Sequence, residues 1–173
     1  MASSAPSPRA REIVAAAREL LEAEGPEGLS MRRIAERVGI RAPSIYKHLP
    51  DKEALEAALI SAGFEEWAEA LTGETPEELG RAYRAYALAH PHLYRLMTER
   101  PLDRDRLVPG AEERAARPIV EAVGGDADAA RAVWAFAHGM AILELNGRFP
   151  PGADLDAAWA AGMARLSPSS GAA

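Results

Sequence analysis

The stretch that most restricts the fold is SMRRIAERVGIRAPSIYKHLPDKEAL, from Ser30 to Leu55. Ile34, Ala35 and Val38 fall on one helical face at i, i+1 and i+4. Gly39 follows where a helix needs a left-handed C-terminal residue. Ile40 plugs the turn, and Ile45 and Leu49 form the next apolar pair, four residues apart. Two short helices about a glycine turn, with small Ala35 at their crossing, are the sequence form of a helix-turn-helix.

The charge of this stretch points to a polyanion. Arg32, Arg33, Arg37, Arg41, Lys47 and Lys52 face only Glu36 and Asp51 over residues 30–52, a net +4 in a chain whose formal charge is −6. A basic island in an acidic protein is an electrostatic footprint for nucleic acid. Both lysines of the chain, Lys47 and Lys52, lie inside it.

The motif is specific enough to name a resemblance. Ile34-Ala35, Val38-Gly39-Ile40, Ser44-Ile45-Tyr46, His48 and Asp51-Lys52-Glu53 resemble the DNA-binding segment of the TetR family of bacterial transcriptional regulators. The likeness is strong over residues 9–60 and holds only in outline beyond. Leu49 stands where Phe is usual and Pro43 where Gly is common. Leu keeps the apolar plug, and Pro is tolerated in a first helical turn.

In a helix-turn-helix the second helix enters the major groove, with its N-terminal residues at base edges. That places Arg41, Ala42, Pro43, Ser44 and Lys47 near bases, Arg41 suiting guanine and Ala42 or Pro43 a thymine methyl. Ser30, Tyr46, His48 and Lys52 are expected beside phosphates, and Arg32 is a further DNA-binding candidate. Arg9 and Arg11 precede the first helix and are expected to be solvated rather than to form a minor-groove arm.

The remaining chain reads as helix throughout. Hydrophobic residues, largely Ala, make up 48% and aromatics only 6%, a composition suited to helices packed through small side chains. Helices are expected from Arg9 to Glu24, from Asp51 to about Leu71 and from Pro76 to Ala89, the last opened by a Thr75/Glu78 capping box. Others follow at Pro91–Thr98, at about Gly110–Val123 with a kink at Pro118, from Asp126 to Leu145, and from Asp154 to Leu166. The expected fold is all-α, about nine helices. A DNA-binding unit over 9–50 precedes an effector and dimerisation domain over 51–166, with disordered tails at 1–8 and 167–173.

Several function classes fall away. With no cysteine, disulfides and thiol chemistry are excluded. His90 and His92 lie two apart with Pro91 between, so they do not share a helix face as paired ligands would. No metal site, cofactor or catalytic constellation is expected. The first ten residues, MASSAPSPRA, lack the apolar stretch of a secretory signal. The longest mostly apolar run, Ala132–Leu143, is 12 residues, short of the ~20 a membrane span needs. A cytoplasmic protein that does not touch membranes is expected.

Trp134, His138 and Gly139 resemble the Trp–His–Gly motif of one group of TetR-like C-terminal domains. With Phe64, Trp67, Tyr83, Tyr86, Tyr94 and Met97, Trp134 and His138 are candidates to line a cavity for a small apolar or amphipathic effector. Plain core packing is the alternative for these rings. The stripe Leu155, Trp159, Met163 and Leu166 on the final helix is expected to face a second subunit, since the resemblance implies a four-helix dimer interface. The expected function is therefore sequence-specific binding of a double-stranded DNA operator by a homodimer, with repression relieved by the effector. A ligand-independent DNA-binding or architectural protein, and an activator, remain open.

Overall fold

A computed structural model describes residues 7–167. Among the described residues the regular structure is nine α-helices and two single 3-10 turns, with no strand. The helices are α1 (Pro8–Glu24), α2 (Met31–Val38), α3 (Ala42–Ile45), α4 (Lys52–Ala70), α5 (Pro76–Ala89), α6 (Pro91–Thr98), α7 (Ala111–Ala122), α8 (Ala127–Leu145) and α9 (Leu155–Leu166).

Local chemistry explains most of these boundaries. The Asp51 carboxylate accepts from Ala54 N at 2.6 Å to open α4. Asp126 does the same for Asp128 N and Ala129 N in α8, and Asp154 for Ala157 N in α9. The capping box is reciprocal: Glu78 N donates to Thr75 Oγ1 at 3.2 Å, and Thr75 N donates to Glu78 Oε2 at 3.3 Å. α7 runs through Pro118 rather than ending there. The expected tails need correction where they are described. Ser7 Oγ accepts from Ala10 N at 3.1 Å and Pro8 is the first residue of α1, so both belong to the helix start. Ser167 closes α9, its hydroxyl 3.0 Å from Glu77 Oε1. Residues 1–6 and 168–173 lie outside the described residues.

The chain divides into two compact units. Among the described residues one holds 7–65 together with His90–Glu112; the other holds Glu66–Ala89 and 113–167. Non-local packing draws α6 and the segment after it to the N-terminal helices, which no local pattern announces. Glu22 on α1 accepts from Leu93 N at 2.9 Å and so caps α6, whose own N-cap residue His90 makes no side-chain capping bond. Gly63 on α4 admits α6, since a Cβ there would sit 2.6 Å from Met97 Sδ. Buried Ser61 accepts from Val108 N at 3.0 Å, anchoring the segment that follows.

In the second unit α5, α8 and α9 pack together. Leu79, Tyr83, Val133, Ala137, Trp159 and Met163 are buried there. Arg84 grips Glu144 with two hydrogen bonds, at 2.9 and 2.8 Å, and also pairs with Asp156, tying the three helices by charge. Among the described residues no helix is long and apolar enough to cross a membrane.

Candidate nucleic-acid interface

The helix-turn-helix is built on a small buried nucleus. Ile34, Ala35 and Ile45 are at most 2% exposed, and Leu29 and Leu49 are buried beside them. Ser30 opens α2 by accepting from Arg33 N at 3.3 Å. Gly39 ends it in the left-handed conformation, φ 70° and ψ 33°. Gly39 N and Ile40 N then satisfy the carbonyls of Glu36 and Ala35 at 3.2 and 2.9 Å. A residue with a Cβ would be strained at that φ. The turn leads into α3, a single helical turn with Arg41 as its N-cap residue and Pro43 in its first turn.

Burying Ile45 and Leu49 turns the intervening residues outward. Arg41, Pro43, Tyr46, Lys47 and His48 are exposed, while Ala42 and Ser44 are half-buried. Arg32 on α2 and Lys52 at the start of α4 are exposed as well. The ten residues expected to meet DNA thus lie on α2, α3, the turns about them and the start of α4.

The six cations of the basic island do not do one job. Arg33 is held by both carboxylate oxygens of Glu24 on α1, one contact at 2.6 Å. Arg37 reaches Glu19 on α1 at 3.0 and 2.5 Å. These two arginines fasten α2 to α1, and their charges are met by carboxylates. The hydrogen bond from Arg33 holds the Glu24 carboxyl below its ordinary value. Arg32 and Lys52 have looser partners one turn on, Glu36 at 3.5 Å and Glu56 at 3.6 Å. Arg41 and Lys47 have no ion-pair partner among the described residues. Uncompensated positive charge therefore concentrates at α3, where an exposed Arg can meet base edges and an exposed Lys a phosphate.

The other candidate residues distribute differently from expectation. In the second unit Trp67, Tyr83 and Tyr86 are buried and pack edge to face, Trp67 lying 4.5 Å from Tyr83 and 5.0 Å from Tyr86. Trp134, expected among cavity walls, is 48% exposed and stacks on His138 one turn along α8. Phe64, Tyr94 and Met97 belong to the first unit, with Tyr94 and Met97 buried. The stripe expected to face a second subunit is buried within the chain at its centre. Trp159 and Met163 are 4% and 2% exposed within the subunit, the latter against Gly80 of α5, and Leu155 and Leu166 are half-buried. Amphipathicity marked the buried side of α9 correctly but said nothing of what covers it.

Comparison with known proteins agrees with this geometry. A profile described as "Bacterial regulatory proteins, tetR family" matches residues 13–59, and one described as "Tetracyclin repressor-like, C-terminal domain" matches residues 77–166. The chain belongs to the TetR family. An uncharacterised HTH-type transcriptional regulator of Mycobacterium tuberculosis, Rv0681, is 30% identical over 159 residues, covering 82% of this chain and 73% of that protein. The tetracycline repressor protein class C of Escherichia coli is 46% identical over 50 residues, 29% of this chain and 23% of that one. A solved Rhodococcus sp. RHA1 protein superposes with a TM-score of 0.70 at 28% identity, over 92% of this chain and 93% of that one. This TetR-family chain is thus a transcriptional regulator with a helix-turn-helix DNA-binding domain, and not an enzyme.

Proposed function

We propose that this TetR-family protein binds a specific operator as a homodimer, represses transcription there, and is released by a small apolar or amphipathic effector. The observation that carries the DNA part is the division of charge in the helix-turn-helix. Arg33 and Arg37 are held by α1, while Arg41 and Lys47, exposed at the two ends of α3, keep their charge for a partner. The name of the E. coli relative, a tetracycline repressor protein, supports repression. An effector shifts the equilibrium only if it binds one conformation of the dimer better than the other.

Selection of bound sequences from a random DNA pool tests the reading. A half-site repeated as a palindrome, with half-sites one helical turn or a multiple apart, is the expected result. Recovery of unrelated sequences, or an unrepeated half-site, would defeat sequence-specific dimeric binding. A ligand-independent regulator is the second reading, favoured by the way Trp67, Tyr83 and Tyr86 close on one another. Thermal-shift screening for compounds that also lower operator affinity separates the two.

The dimer face we propose is the outer side of α8 and α9. Ala135, Gly139 and Leu143 follow one another at i+4 along α8, and nothing lies within 4 Å of where a Gly139 Cβ would be. Ala157, Ala161 and Ala164 are exposed on α9, away from buried Trp159 and Met163. Small outward residues on two adjacent helices let a second pair approach closely.

A further inference from the structure

The first turn of α4 carries an electrostatic contradiction. Lys52 is the expected phosphate contact there, yet it is flanked by carboxylates: Asp51 immediately before it, exposed Glu53 immediately after it, and Glu56 one turn on. When Lys52 turns to a phosphate it leaves Glu56, 3.6 Å away, without that partner. A carboxylate beside a phosphate backbone opposes binding, and Glu56 is only 20% exposed, so water screens it incompletely.

The segment after α6 supplies the compensation. Arg100 Nη1 lies 3.1 and 3.2 Å from the two oxygens of Glu56, and Arg106 Nη1 lies 2.9 Å from Asp51 Oδ1. Both arginines are about half exposed, and both belong to the same compact unit as the helix-turn-helix. They stand some 50 residues downstream of the groups they neutralise, outside the DNA-binding motif altogether.

We propose that Arg100 and Arg106 are positioning residues for DNA binding: by holding Glu56 and Asp51 they free Lys52 for the phosphate and cancel two of the charges that would repel it. They act through these carboxylates and do not themselves touch DNA. The inference rests on the operator-binding reading and on Lys52 as a phosphate contact. Any displacement of the 99–108 segment then changes operator affinity, because the compensation moves with it.

The test uses the full-length protein, the duplex recovered by selection and a scrambled duplex, at ~0.1 M salt. Arg100→Ala is expected to weaken both complexes by roughly three- to tenfold, without changing base preference. Arg100→Lys, which keeps the charge, should stay near wild type. Adding Glu56→Gln to Arg100→Ala should restore affinity, because the carboxylate that lost its arginine partner is then itself removed. A merely structural role for Arg100 would not be rescued that way. Unchanged binding by Arg100→Ala, or a loss that Glu56→Gln does not restore, overturns the proposal while Lys52→Ala still weakens binding. If Lys52→Ala also leaves binding unchanged, the phosphate contact of Lys52 fails and the proposal with it; if neither duplex binds at all, the operator-binding reading fails as well.

Discussion

The ring of Phe136 lies on the backbone of Gly162. A Cβ built on that glycine would overlap Cζ and stand 2.7 Å from Cε1. This is where α8 and α9 meet, and the same ring sits edge to face on Trp159 at 6.0 Å. Gly162→Ala adds a methyl to a filled space at a cost of about 1–3 kcal/mol, against a helix-propensity gain of about 1 kcal/mol. A net loss of stability is expected, read as a lower urea midpoint. A midpoint that holds or rises would mean that the ring swings aside freely.

Cations that fasten the helix-turn-helix and cations that read DNA should separate on substitution. Arg41→Ala is expected to cost about 1–3 kcal/mol on the selected operator and to relax base preference there. Lys52→Ala should weaken all duplexes alike and reduce the salt slope by about 1. Arg37→Ala removes a tie to Glu19, so it should lower stability by no more than about 1 kcal/mol and leave base preference intact. Binding measured at several salt concentrations distinguishes the three. A change of base preference in Arg37→Ala would contradict the division of roles.

The Glu24–Arg33 pair has a pH signature. Arg33 holds the Glu24 carboxyl below its ordinary value of 4.5 by hydrogen bonding. A carboxyl depressed in the folded state contributes stability above its unfolded value, and that contribution fades as pH falls through the folded one. The α1–α2 tie should therefore be intact at neutral pH and loosen only on acidification below about 4.5. NMR titration of the Glu24 carboxyl checks this. In Arg33→Ala its midpoint should return toward the ordinary glutamate value, and a midpoint that stays depressed would assign the shift to another cause.

Local signals carried the secondary structure, and distance is where they failed. Ser30, Gly39, Asp51, Thr75 with Glu78, and Asp154 mark helix ends because capping involves residues within a turn of one another. The exposed start of α3 was legible for the same reason. That Arg33 and Arg37 serve α1 was not, since Glu24 and Glu19 lie 9 and 18 positions away. Nor was the capping of α6 by Glu22, at a separation of 71 from Leu93. Trp159 and Met163 are a different case: an apolar stripe marks a covered face, and only the fold shows that α5 and α8 cover it within the chain.

That last distinction gives opposite outcomes on the two sides of α9. Trp159 is buried against its own subunit, with Tyr83 and Phe136 around it, so Trp159→Arg places an unpaired charge inside the monomer. Loss of folding, seen as lost helical signal and aggregation, is expected. Ala161 is exposed on the outer side of α9, where an arginine in an isolated subunit meets only water. In the proposed dimer the same arginine meets its symmetry mate across a closely packed seam of small residues. Ala161→Arg should therefore sediment as a folded monomer with full helical content and have lost high-affinity operator binding, because two joined recognition helices are needed to read both half-sites. A folded Ala161→Arg dimer would move the interface off this face of α9. A folded, monomeric Trp159→Arg would return it to the buried stripe.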